Sequence, residues 1–154
     1  MGLNGGDFPN LRAIRDVRFI STFPVANSCV SLLPDLRRCG VEYSDLVNAV
    51  DAVITKPGYG IVSECAVNHT RMLYTDRGSF REYDAIMRDM DWWNCALFIE
   101  RGRLLEGNCG PELRRLLAMD PKAVPGARQA AAAPGADAVA ARILDFYRQG
   151  RSAC

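Results

Sequence analysis

The stretch DAVITKPGYGIVSE, Asp51 to Glu64, reads as a strand, a glycine-containing turn and the start of a helix. Ala52, Val53, Ile54 and Thr55 form a short, mostly apolar, β-branched run, the composition of a strand buried on both faces. Lys56 and Pro57 end it. Gly58 and Gly60 then let the backbone turn sharply and pass close to a ligand with no Cβ in the way. Ile61, Val62, Cys65 and Ala66 follow at helical spacing. The free N–H groups of such a helix start, together with its dipole, favour an anion. Glu64 sits about one turn in, where a carboxylate can accept hydrogen bonds from a diol such as a ribose.

Working outward, Ser44 is expected to cap a short helix from Asp45 to Val50 that delivers the chain into this strand. On the other side the helix runs from near Gly60 to about Asn68, and RMLYT, Arg71 to Thr75, is the next strand. Asp76, Arg77 and Gly78 form its exit turn. Phe80 to Met90 is the next helix, Asp91 to Asn94 breaks it, and Cys95 to Glu100 is another strand, from which Gly102 turns away. Pro111 to Met119 is a helix with Leu113, Leu116 and Leu117 inward. Asp120 to Pro134 reads as an irregular connection or a short helix. Ala136 to Gln149 is the last helix, with Val139, Ile143, Phe146 and Tyr147 inward. Before the central stretch, Met1 to Asn10 is glycine-rich and expected to be loose. Val17 to Phe23 is a strand, and Pro34 opens a short helix ending at Gly40.

Strands alternating with helices imply parallel βαβ units and an α/β, Rossmann-like fold, with one parallel sheet and helices on both faces. Ligands in such sheets bind at the carboxyl ends of the strands. TKPGYG and TDRGSF are two of those ends, and both carry glycine and polar side chains.

Composition limits the function classes. The chain has 154 residues, 49% of them hydrophobic, enough for one domain with a real core. Nineteen basic and eighteen acidic side chains nearly cancel, which argues against a dedicated nucleic-acid or membrane-surface protein. The cysteines at 29, 39, 65, 95, 109 and 154 form no CxxC pair and there is one histidine, so no metal site is expected. The cysteines read as reduced and the compartment as cytoplasmic. MGLNGGDFPN is no secretory signal, and no apolar run is long enough for a transmembrane segment.

The segment YSDLVNAVDAVITKPGYGIVSECA, followed by RMLYTDRGSFREYDA, resembles the donor-binding C-terminal half of GT-B glycosyltransferases. Within them it is most similar to family 28, which includes the bacterial N-acetylglucosaminyltransferase that makes lipid II. The glycosyltransferase-like domain of plant arabinokinases is related. The resemblance covers Glu42 to Tyr147, so residues 42–150 are expected to form a nucleotide-sugar-binding domain and 1–41 an N-terminal segment, a truncated part of the same domain.

The resemblance implies that a nucleotide diphosphate sugar, a UDP-sugar, is bound for hexosyl transfer, with no cofactor. Gly58, Tyr59 and Gly60 match the loop facing the diphosphate, with Lys56 before it and Ser63 at the helix start. Glu64 matches the acid that holds the ribose hydroxyls. The turn Asp76, Arg77, Gly78, Phe80, Glu82 and Tyr83 lies where the family contacts the donor sugar; many relatives carry glutamine in the region of Glu82. In the family, acceptor and catalytic base lie mainly in a first domain that this chain has no room for, so no catalytic residue is assigned here. NGGDF, Asn4 to Phe8, matches a remnant of the missing first glycine loop. An N-terminal acceptor-domain partner chain or a homodimer is the expected assembly.

Plainer readings stand beside these. Glu64 serves equally well as an acid stabilising the helix dipole. Lys56 reads as a solvated strand-end lysine, Asp76 and Arg77 as a mutual surface pair of little energetic consequence. His69 reads as a helix C-cap, Cys65 as core, and Trp92 and Trp93 as covers over a helix–strand junction. Three functions remain open: a glycosyltransferase or its donor half, a non-catalytic nucleotide or nucleotide-sugar binding module working through a partner, and an unrelated doubly wound protein using the loop for another phosphorylated ligand.

Overall fold

A computed structural model of the protein describes residues 6–33, 36–78, 81, 83–90, 95–121 and 135–151. The strand read from DAVIT is β3, Ala52–Thr55, and the helix after it is α2, Tyr59–Val67. β4 spans Arg71–Tyr74 and β5 spans Ala96–Phe98. These three strands are parallel, in the order β3-β4-β5, with Ile54, Leu73 and Leu97 level across the sheet. Helix α3, Tyr83–Met90, connects β4 to β5. The chain is therefore α/β with parallel strands, compatible with a Rossmann-like half-domain.

The strands do not form one sheet. Phe19–Ser21 (β1) and Val30–Leu32 (β2) pair with each other, in parallel, as a separate two-stranded sheet. Val17 to Phe23 was long enough for a longer strand, but pairing extends only over the three residues that β2 supplies. β2 itself has no expected counterpart in the sequence reading. Its return is organised by Asn27, a buried side chain whose Nδ2 donates to the carbonyls of Asp7 at 3.2 Å and Phe8 at 2.7 Å. Asn27 Oδ1 accepts the Cys29 N–H at 3.1 Å. A 3-10 helix over Leu36–Cys39 follows, closed by Gly40 at φ 68, while Pro34 lies outside the described residues.

The chain divides into two units, Met1–Ala123 and Val124–Cys154. In the first, Met72 and Leu73 are successive residues of the central strand and both are fully buried. Successive strand side chains point to opposite faces, so both faces of β4 are covered. On the Leu73 side lie Leu11, Leu104, Leu113 and Leu116, contributed by a 3-10 helix (Pro9–Ala13), α4 (Arg101–Leu105) and α5 (Gly110–Leu117). α2 and α3 join neighbouring parallel strands, and the right-handed rule puts both on the other face. Helix α1, Tyr43–Ala49, packs on α2, and the buried Thr70 hydroxyl donates to the Val47 carbonyl at 2.8 Å. Its N-cap is Glu42 rather than Ser44: Asp45 Oδ2 accepts the Glu42 N–H at 2.9 Å, closing a capping box.

Two further expectations are corrected. Residues 6–10 are not loose: Phe8 joins the core and the Asn10 N–H donates to the Glu106 carbonyl at 2.9 Å. One aromatic side chain is enough to anchor a glycine-rich segment that composition alone marks as mobile. In the second unit, α6 spans Gly135–Arg151, but Val139, Ile143, Phe146 and Tyr147 are exposed, not inward. An amphipathic pattern says that a helix has an apolar face and is silent on what covers it. Residues 91–94 and 122–134, read as a breaker and a connection, lie outside the described residues. No described helix is long and apolar enough to cross a membrane.

Candidate functional site

The two polar turns meet at the carboxyl ends of β3 and β4. Thr55 and Tyr74 are level, so the residues that leave these strands start side by side. Pro57 is buried and Gly58 is the N-cap of α2, with no side chain capping the helix. The first helical bond is from the Val62 N–H to the Gly58 carbonyl at 3.0 Å, so the N–H groups of Tyr59, Gly60 and Ile61 precede the intrahelical ladder. Tyr59, Gly60 and Ser63 are exposed.

Arg77 joins the two turns. Its Nη1 donates to the Pro57 carbonyl at 3.2 Å, across twenty residues of sequence. A Cβ built on Gly58 would lie 2.8 Å from that same Nη1. Gly58 has φ −158 and ψ 154, an extended backbone open to any residue, so close approach rather than conformation explains the glycine. Gly60 needs neither: its φ is not positive, and a Cβ there meets nothing within 4 Å. The expected sharp glycine turn is absent at both positions because α2 starts at Tyr59 and takes Gly60 into its first turn. The glycine that uses its freedom is Gly78, at φ 70, in the second turn. Asp76 Oδ1 accepts the Gly78 N–H at 3.1 Å and fixes that bend.

Glu64 lies half-buried in the second turn of α2. Asn68 Nδ2 donates to the Glu64 carbonyl at 2.9 Å and stands 3.5 Å from Oε2. Burial pushes the Cys65 thiol up to about 12, and the Glu64 carboxylate adds to that. Burial also raises the Tyr43 hydroxyl, with Cys65 and Glu64 contributing. Tyr43 begins α1, half of it is exposed, and the packing of α1 on α2 brings its hydroxyl within electrostatic reach of Glu64. The sequence reading missed it, because only the packing of α1 on α2 brings the two together. Tyr83 opens α3, and its hydroxyl is raised by burial first and then by Asp76 and Asp84.

Thr75 is also new. It directly follows the central strand and is fully buried, its N–H donates to the Thr55 carbonyl at 3.2 Å, and its Oγ1 has no partner among the described residues. Lys56 is half-buried between Thr55 and Pro57, and the Thr55 hydroxyl donates to its carbonyl at 3.2 Å. Phe80 and Glu82, expected against the donor sugar, lie outside the described residues, as do Trp92 and Trp93. His69 has φ 55 directly after the C-cap Asn68, the left-handed residue that ends a helix.

The structure thus brings together Lys56, Gly58, Tyr59, Gly60, Asp76, Arg77 and Gly78 around one helix N-terminus, with Ser63 and Glu64 one turn further along. The helix end and the guanidinium both favour an anion there. No group of histidine, cysteine or carboxylate side chains among the described residues could hold a metal ion. Comparison of the chain with protein-family models, with curated proteins and with solved structures finds no match.

Proposed function

We propose that the chain binds a nucleotide diphosphate sugar, a UDP-sugar, at the carboxyl ends of β3 and β4, as the donor-binding half of a glycosyltransferase. The observation that carries the proposal is Arg77 laid across Gly58 at the uncapped start of α2. A guanidinium and the first backbone N–H groups of a helix then stand at one strand end, groups that suit a diphosphate. Glu64 takes the ribose hydroxyls, with Tyr43 beside it. Gly60 leaves the room above the first turn that a phosphate requires. When the glycosidic bond breaks, negative charge grows on the departing diphosphate, and the same groups offset it without reorganising. The acceptor and the base that activates it come from a partner domain. The described cysteines are free, which suits a reducing compartment, and we assign the activity to the cytosol.

Calorimetric titration of the chain with UDP, UDP-sugars and pyrophosphate tests the proposal. Saturable binding of UDP and a UDP-sugar is expected. Glu64→Ala should weaken UDP by about 1–3 kcal/mol, the cost of a lost charge-assisted hydrogen bond, and leave pyrophosphate unchanged. A folded chain that binds none of these ligands overturns the assignment. UDP binding without transfer, once an acceptor domain is supplied, leaves a nucleotide-binding module in its place.

A further inference from the structure

Gly58 stands where glycine is neither a conformational need nor the best local choice. It is the N-cap of α2, with the extended backbone that ordinary N-caps adopt. Serine, threonine, aspartate or asparagine fits that backbone and accepts a hydrogen bond from the second or third helical N–H. Glycine offers no such oxygen, and α2 starts with no side-chain cap. The chain thus forgoes a stabilising contact at this point.

What it gains is a place for Arg77. A Cβ on Gly58 would lie 2.8 Å from Arg77 Nη1 and 3.8 Å from its Cζ. At 2.8 Å the two cannot coexist, so the guanidinium occupies the position that a side chain at 58 would take. The bond from Nη1 to the Pro57 carbonyl at 3.2 Å, one residue earlier, holds it there. Arg77 is exposed, and a long exposed side chain loses rotamer freedom when it is fixed. It stays in place only where the room for it is left open.

We propose that Gly58 is a positioning residue that acts on the bound anion through Arg77, by keeping open the seat of the guanidinium at the start of α2. This role rests on the diphosphate site proposed above. Gly58 itself touches no ligand. With a methyl group at position 58, Arg77 turns out into solvent, while the backbone N–H groups of α2 stay where they are. The anion then loses the charged half of its site. The loss falls on the diphosphate, so pyrophosphate and UDP weaken by the same factor, whereas Glu64→Ala weakens UDP alone.

Calorimetric titration of pyrophosphate and UDP into the full chain tests this on the wild type, Gly58→Ala, Arg77→Ala and the double variant. Because the exposed end of Arg77 can move aside, Gly58→Ala should still fold and melt close to the wild type. Each single change should weaken both ligands about tenfold, and the double variant should bind no worse than Arg77→Ala alone. Losses that multiply in the double variant would mean that Gly58 meets the ligand directly, and they overturn the proposal. Unchanged affinity in Gly58→Ala overturns it too. The Arg77 Nε–H resonance of the ligand-free chain gives a second readout. It should differ from that of free arginine in the wild type and move to the free-arginine position in Gly58→Ala. The same resonance in both chains shows that Gly58 seats nothing. A wild-type chain that binds neither ligand overturns the nucleotide reading and the anion role of Gly58 with it. Wild-type binding without the coupling to Arg77 overturns the role of Gly58 alone.

Discussion

Gly60 separates a glycine kept for the fold from one kept for a ligand. Its backbone is helical, its φ is not positive, and a methyl group added there touches nothing. The fold gives no reason for a glycine. Gly60→Ala should therefore leave stability unchanged or raise it by up to about 1 kcal/mol, since alanine is the better helix residue. If a diphosphate lies over the first turn of α2, the same methyl group should weaken UDP at least tenfold. Melting temperature and calorimetric affinity, measured on one variant, test both halves. Unchanged UDP affinity would remove Gly60 from the phosphate site. Gly58 behaves differently, because an added Cβ meets Arg77, a flexible end that can give way.

Among the elements, the turn between α4 and α5 does more than connect. Gly107 has φ 79, and a Cβ on it would lie 2.6 Å from the Leu11 backbone nitrogen. The same turn takes the Asn10 N–H on the Glu106 carbonyl at 2.9 Å, while Asn10 Nδ2 donates to Asn108 Oδ1 at 2.9 Å. Arg103 and Glu112 clamp the turn from outside at 2.7 Å. Gly107→Ala thus adds both left-handed strain and a collision with backbone that cannot move aside. It should cost more than about 2 kcal/mol in urea unfolding. It should also free the segment around Phe8, seen as faster amide exchange at Asn10 and Leu11. A loss below about 0.5 kcal/mol would show that the N-terminal segment is not held there.

For the whole molecule, the buried thiols set an alkaline limit. Burial pushes Cys65 up to about 12 and Cys109 up to about 11, each from an ordinary 9.0. Both stay protonated in the fold when the unfolded chain would release the proton. Their contribution is therefore complete below pH 9 and drains away as pH rises from 9 toward 11 and 12. Between pH 8 and pH 10 each thiol should take away about 1 kcal/mol of unfolding free energy. Urea unfolding at the two pH values, on the wild type and on Cys65→Ala, measures it. The variant should begin less stable and lose less between pH 8 and pH 10. An equal loss in both chains would exclude Cys65 as a cause.

The sequence by itself determined the β3–α2–β4–α3–β5 succession and the existence of α5 and α6. Those elements are written in local signals: β-branched runs, helical spacing, and Pro or Gly at the ends. It also determined that two glycine-bearing turns follow neighbouring strands, which is why most of the candidate site was legible. Tertiary structure alone decided that β1 and β2 form their own sheet. It also decided that Phe8 enters the core, that Arg77 reaches Pro57, and that α1 packs on α2. Each of these joins residues distant in sequence, and a local pattern carries no information about its partner. A side chain's preference for burial is set where it sits in the chain, whereas the surface that buries it is set by register, crossover and packing.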